Sequence, residues 1–255
     1  MKIIFLGTGS MYPLPRKGCG CEVCRYIRRK GGRNKRTRSS IVIKVAKKNI
    51  LIDCSPDVLM QLKRAGIKSV DVILLTHRHF DHVKGLAFLD KFAKRNVLLF
   101  ARKDALEYVL KKYPFHAGLI KLIELKLNRW YKLFGINLRA FKVKHALRGR
   151  VETVGYVFCR GRKCFAYVPD ALDLKRHVFL RGIDLLIIDG CCFDKREFGH
   201  MSMLDAYRIG KQLKAKKILF THIGHRNLPH DKLEKLCKYV FDNAMPAYDG
   251  MIVEV

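Results

Sequence analysis

The chain has 255 residues, 49% of them hydrophobic, which supplies enough apolar mass for a sizeable core and excludes global disorder. No run reaches the roughly 18 consecutive apolar residues that a membrane span requires, so no membrane partner is expected. Fifty-two Lys and Arg against 22 Asp and Glu leave a formal charge of +30, a field that attracts small phosphorylated substrates and nucleic acid alike.

The opening MKIIFLGTGS is too short in its apolar part for a signal peptide and meets glycine at once. It reads as a first strand of a cytoplasmic protein. Next come Pro13, Pro15 and the cluster Cys19-Gly20-Cys21-Glu22-Val23-Cys24. Nine cysteines are an odd number, and three thiols within six residues favour metal binding over a disulfide framework. A closed zinc site is tetrahedral and needs a fourth donor, for which His225 in THIGH is the candidate. The segment from Arg25 to Arg38 follows, with eight cations in fourteen residues. It is either a solvated loop beside this zinc knuckle or a track for a phosphate backbone.

Strands are expected at SIVIKV, NILIDC, DVILLT, NVLLFA, INLRAFKV, TVGYVFC, KCFAYV, DLLIID, KILFTH and the closing MIVEV, all apolar or β-branched runs bounded by turn signals. Ser55-Pro56 before DVLMQLKRAG predicts a helix capped by Ser55, with Gly66 as its stop. VKGLAFLDKFA predicts a second helix. Ser202 to Lys214 is a third, with Asp205 placed as in a capping box, and DKLEKLCKYVF from Asp231 is a fourth. With no repeat and no linker, these elements predict one α/β domain over 1–255, carrying a zinc-knuckle loop at about 17–38. Cys191 and Cys192 follow an apolar strand and read as buried small residues.

The segment with the most chemistry is Thr76-His77-Arg78-His79-Phe80-Asp81-His82, delivered by the apolar strand DVILL. His77 and His79 project to one side of an extended chain. Three imidazoles and a carboxylate in six positions exceed what one open catalytic metal needs, so two adjacent ions, Zn²⁺ or Mn²⁺, are the natural reading. Three further donors stand at strand ends: His145 after INLRAFKVK, Asp170 after KCFAYVP and His222 after KILFT. Asp53, in NILIDCSPD, ends an earlier strand.

This HxHxDH segment and the donors that follow it resemble the signature of the metallo-β-lactamase superfamily. The resemblance implies an αββα sandwich of two mixed β-sheets flanked by helices, with metals at one edge. It implies that His77, His79 and His145 hold one ion, that Asp81, His82 and His222 hold the other, and that Asp170 bridges them. Asp53 would accept hydrogen bonds that orient the ligand loop. GTGS, the two prolines, GCGCEVC and RNKRTRSS before a strand are similar to the PhnP-type phosphodiesterases. That subgroup implies a structural Zn²⁺ on Cys19, Cys21, Cys24 and His225, a homodimer, and a small cyclic phosphate substrate such as phosphoribosyl 1,2-cyclic phosphate. His200, in FGHMSMLDA, matches a histidine that touches substrate phosphate in PhnP and RNase Z relatives. The resemblance thus makes Asp81 and His200 the catalytic groups beside the metals. The alternative is an RNA-processing nuclease of the RNase Z kind, which the charge of +30 would suit.

Overall fold

A computed structural model of the chain describes residues 1–113, 119–145, 151–174 and 177–255. Two seven-stranded sheets face one another. The first runs in the order β14 (Ile252–Glu254), β1 (Lys2–Gly7), β2 (Ser40–Val45), β3 (Lys48–Ile52), β4 (Val70–Leu74), β5 (Ala93–Ala101) and β6 (Ile120–Glu124). The second runs β13 (Ala244–Pro246), β12 (Ile218–Thr221), β11 (Leu185–Asp189), β10 (Lys163–Val168), β9 (Thr153–Arg160), β8 (Ile136–Val143) and β7 (Trp130–Leu133). Both are mixed. The first is antiparallel from β14 to β3 and parallel from β3 to β6. The second is antiparallel from β7 to β10 and parallel from β10 to β13.

Three apolar layers explain why the parallel strands read as unbroken hydrophobic runs: both of their faces are covered. Alternate residues divide between layers, as the pleat requires. Ile3, Phe5, Ile187 and Leu219 enter the central layer between the sheets, with Tyr156, Phe158, Phe165 and Tyr167. Ile4 and Leu6 turn outward, where Val58 and Leu62 of α2 (Val58–Arg64) and Ala105 and Val109 of α4 (Lys103–Lys112) cover the first sheet. Leu186 and Ile188 turn outward on the other side, beneath Met203 and Ala206 of α5 (Met203–Gln212) and Leu233 and Cys237 of α6 (His230–Val240). The sequence-derived αββα sandwich is thus the observed one.

Some expectations are corrected. The helix after Ser55 begins at Val58 with Asp57 at its N-cap, and the Ser55 hydroxyl instead accepts from Asp57 N at 3.1 Å and donates to Gln61 Oε1 at 3.0 Å. VKGLAFLDKFA forms no regular helix. It is a four-residue α3 (Phe80–Val83) followed by a kinked 3₁₀ segment, Lys84–Lys91. The segment breaks at Phe88, whose φ of −113° and ψ of 20° are not helical, and Gly85 packs against the turn after β3, where a Cβ would lie 2.2 Å from Ser55 O. The segment 17–38 is not a loop throughout, since α1 (Glu22–Lys30) and a 3₁₀ turn at Gly32–Asn34 lie within it. Cys24 and Ile27 of α1 are buried one turn apart, but the helix is only nine residues long and is set among glycines and cations that read as a loop. The strands at Ile120–Glu124, Trp130–Leu133 and Ala244–Pro246 were not expected because they are short or half-exposed sheet edges. Cys159 and Cys164, for which no pairing is expected from the sequence, form a disulfide across the β9–β10 hairpin. Among the described residues, no helix is long and apolar enough to cross a membrane.

Candidate metal centre

Strand ends from both sheets converge on one edge of the sandwich. β4 leads to His77, His79, Asp81 and His82; β8 leads to His145, β10 to Asp170 and β12 to His222. All seven predicted donors are brought together, in two groups whose ligand atoms lie within 4.8 Å of one another: His77, His79, His145 and Asp170, and Asp81, His82, Asp170 and His222. Asp170 belongs to both. Its Oδ2 lies 3.3 Å from His77 Nε2, 3.1 Å from His82 Nε2 and 3.7 Å from His145 Nε2, and its Oδ1 is 3.3 Å from His222 Nε2. Asp81 Oδ2 is 3.3 Å from His82 Nε2 and 3.7 Å from His222 Nε2.

The far sides of the rings are held by the protein. Asp53, fully buried at φ +60° after β3, accepts from His82 Nδ1 at 2.8 Å, from Thr76 N at 2.8 Å and from the Thr76 hydroxyl at 2.9 Å. His145 Nδ1 donates to Gly199 O at 3.1 Å. These bonds fix the tautomer that leaves Nε2 facing inward, the arrangement by which proteins raise the basicity of metal-ligating histidines. Of the inward atoms, His79 Nδ1 lies 2.8 Å from His77 Nε2 and 3.3 Å from His145 Nε2, but others have nothing to bond. Asp81 Oδ1, His82 Nε2, Asp170 Oδ1 and both His222 nitrogens are buried without a hydrogen-bond partner. Buried polar groups are costly when unpaired, so orphans concentrated at one point fit a divalent cation. His-and-carboxylate donors of this kind suit Zn²⁺, Mn²⁺ or Fe²⁺.

Ionisation follows the same crowding. Burial, reinforced by neighbouring imidazoles, holds His77 well below the usual histidine range. Burial alone would lower His82 as well, but Asp170, Asp53 and Asp81 together drive it well above that range. Asp170 is held far below the usual carboxylate range: burial opposes this, and His222 and His82 outweigh it.

His200 stands over this cluster, its ring stacked on His222 at 4.4 Å and 4.8 Å from the His145 ring. Sequence reading had no partner for it. The structure supplies Asp189, a fully buried residue that closes β11 and accepts from His200 Nδ1 at 2.7 Å. Asp189 also accepts from Ala171 N and Cys191 N, at 2.9 and 3.0 Å. Burial lowers the His200 pKa, but the Asp189 carboxylate more than compensates and carries it up to about 9. The available signal was the aspartate ending LLIID, in the same position relative to its strand as Asp53.

A second constellation lies beside the first. Cys19, Cys21 and Cys24 place their Sγ atoms 3.7, 3.8 and 3.9 Å from His225 Nδ1. A tetrahedral zinc with ordinary Zn–S and Zn–N bonds sets such S···N separations at about 3.6 Å, so the donor spacing fits. Cys21 is also the N-cap of α1, its Sγ accepting from Cys24 N at 3.4 Å. Burial pushes the Cys24 thiol up to about 11.

The cations of 25–38 are only partly free. Arg28 donates to Arg16 O and Cys19 O, and Arg38 pairs with Asp57 at 3.0 Å. Arg36 is 2% exposed, donating to Thr8 Oγ1, Ala247 O and His230 Nδ1; burial lowers its pKa to about 10.

Comparison with known proteins agrees with this architecture. A model of the beta-lactamase superfamily domain matches residues 48–223, from the strand before Asp53 to just past His222. The chain belongs to that superfamily, and its sandwich is the metallo-β-lactamase fold. Within it, a solved structure described as a new diphosphatase from the PhnP family superposes with a TM-score of 0.87 and 28% identity, covering 100% of this chain and 97% of that one. A ribonuclease Z from Agathobacter rectalis is 24% identical over 100% of this chain and 98% of its own length. An octanoyltransferase from Porphyromonas gingivalis is 34% identical over 98% of this chain, but the match takes up 51% of that protein, so the chain spans about half its length.

Proposed function

We propose that the chain, as one domain over 1–255, is a two-metal phosphodiesterase acting on a small cyclic phosphodiester, with phosphoribosyl 1,2-cyclic phosphate as the type of substrate. The observation that carries this reading is the convergence of seven donors on one edge of the sandwich, four of which, Asp81, His82, Asp170 and His222, have buried polar atoms without a hydrogen-bond partner. His77, His79 and His145 hold one divalent ion, Asp81, His82 and His222 the other, and Asp170 both. Cys19, Cys21, Cys24 and His225 hold a structural Zn²⁺.

When bound, such a pair of ions supplies a nucleophile at neutral pH by lowering the pKa of water towards about 7 and offsets charge developing on the phosphoryl oxygens. The chain's own groups handle the protons. Asp81 Oδ1, without a hydrogen-bond partner, accepts the proton of the attacking water. His200, with Nδ1 committed to Asp189, offers Nε2–H to the departing alkoxide. A general acid so placed contributes about 10²–10⁴ in rate.

The PhnP-family neighbour supports this reading, and so does the engagement of Arg28, Arg36 and Arg38 within the fold. The remaining surface cations of α1, together with the ribonuclease Z relative, favour the second reading, an RNA-processing nuclease. Bis-p-nitrophenyl phosphate, a 2′,3′-cyclic nucleotide, ribose 1,2-cyclic phosphate and a tRNA precursor, each with Mn²⁺ or Zn²⁺, separate the two. Cleavage of the precursor alone overturns the first. His79→Ala is expected to lose metal and activity together. His200→Ala is expected to keep its metals and lose about 10²–10⁴ in kcat; turnover at the wild-type rate would remove His200 from the mechanism.

A further inference from the structure

His200 sits on a device that the chemistry above does not use. Glu197 and His200 face one another as a tight hairpin, with Glu197 N donating to His200 O at 3.2 Å and His200 N donating to Glu197 O at 2.7 Å. The two residues between them, Phe198 and Gly199, have φ of +38° and +92°. Two positive φ values in a two-residue hairpin define a type I′ turn, whose first position favours Asn, Asp or Gly. A bulky aromatic there is an outlier, since its Cβ crowds the backbone in the left-handed region.

The strained side chain is not sheltered by the fold. Phe198 is 79% exposed, among the most exposed large apolar side chains described. A residue that strains the backbone and leaves its ring in water contributes little to folding. Such outliers collect at ligand clamps. The turn also touches the metal cluster on both sides, because Gly199 O holds His145 and His200 stacks on His222. Phe198 therefore marks the rim of the donor cluster. A second exposed ring has the same relation to it: Phe80, between His79 and Asp81, is 51% exposed with the Arg38 guanidinium carbon 5.9 Å from its centroid.

We infer that Phe198 is a specificity residue, a stacking platform for a nucleobase carried by the phosphodiester whose phosphate enters the metal centre. This rests on the phosphoesterase reading of that centre but replaces its base-free type of substrate, phosphoribosyl 1,2-cyclic phosphate, with a phosphodiester that carries a nucleobase. A planar base offers the π-face that an exposed phenyl ring can bind, and stacking of this kind is tolerant of base identity. A sugar phosphate without a base leaves Phe198 in water.

Binding tests this without requiring turnover. Calorimetry on the metal-loaded protein compares adenosine 2′-monophosphate, ribose 5-phosphate and a short RNA, in wild type, Phe198→Asn and Phe198→Trp. Wild type should prefer the adenosine nucleotide over ribose 5-phosphate, and Phe198→Asn should shrink that preference by about 5- to 150-fold. Phe198→Trp should retain it. Asn suits the turn, so its melting temperature should hold or rise, which separates loss of stacking from loss of fold. If the Phe198-dependent preference appears with the mononucleotide, the base belongs to a free nucleotide; if it appears with the RNA alone, it belongs to a chain. An equal preference in wild type and Phe198→Asn overturns the assignment. If the preference is present while no phosphodiester is hydrolysed, the phosphodiesterase reading fails and the stacking site stands.

Discussion

The histidine–aspartate cluster and the cysteine knuckle are neighbours held together in opposite ways. In the cluster, His77, His82, Asp81, Asp170 and His222 are each 4% exposed or less; His77, Asp170 and His222 follow the ends of sheet strands, and Asp81 and His82 stand on α3. Asp53, Thr76 and Gly199 O fix the rings from behind. The fold itself holds these donors in place. The knuckle joins a loop near the N-terminus to the turn after β12, and its Cys21 is exposed and Cys19 half-exposed. Beside the cysteine–histidine contacts, Tyr26 donating to Asp231 at 2.6 Å is one of the few bonds that ties α1 to α6. On the proposed assignment a zinc ion would complete that site, as in small zinc modules where binding free energy is folding free energy. The first centre should keep its shape without metal, and the second should not.

Two substitutions sharpen this contrast. The larger effect is expected for Asp53→Ala, which leaves His82 buried beside an empty position. Removing one partner of a buried pair costs about 3–5 kcal/mol of stability, and losing a carboxylate behind a ligating histidine weakens metal affinity by about 10–100-fold. Denaturant unfolding and metal titration check both; an Asp53→Ala protein with wild-type affinity would show that the fold does not hold the ring. A smaller and more local effect is expected for Cys24→Ser. It should lose one zinc, keep the two ions of the cluster, and become sensitive to limited proteolysis near α1 while the sandwich stays intact. Loss of all metals at once would mean that the two sites are not separate.

The same contrast explains what could be read from the chain. HxHxDH is compact, so its four donors announced themselves, and His145, Asp170 and His222 each follow an apolar strand that carried them to the same edge. Asp189 was missed because an aspartate ending LLIID looks like any strand terminus until His200 is seen 2.7 Å away. Phe198 was missed because a single φ sign is invisible in residue types, and Phe is not a turn residue. The basic run was legible only in part for a related reason: charge counts treat Arg36 as solvated, whereas Thr8, Ala247 and His230 hold it inside the fold. The sandwich was legible because fully covered strands are continuously apolar. Its edges at β6, β7 and β13 were not, because edge strands are short and half in water. Helix α1 hid among the glycines and cations that flank it, and the break of the Lys84–Lys91 segment at Phe88 has no signal in its residue types.

Elemental analysis of the purified protein, before and after dialysis against a chelator, tests the central claim most directly. Two divalent ions on the histidine–aspartate cluster and one zinc on the cysteines are expected per chain, with the cluster reloading after chelation while the β-sheet signal in circular dichroism is unchanged. A folded protein that takes up no divalent ion would contradict the account, and so would one whose sheets unfold when the cluster is stripped.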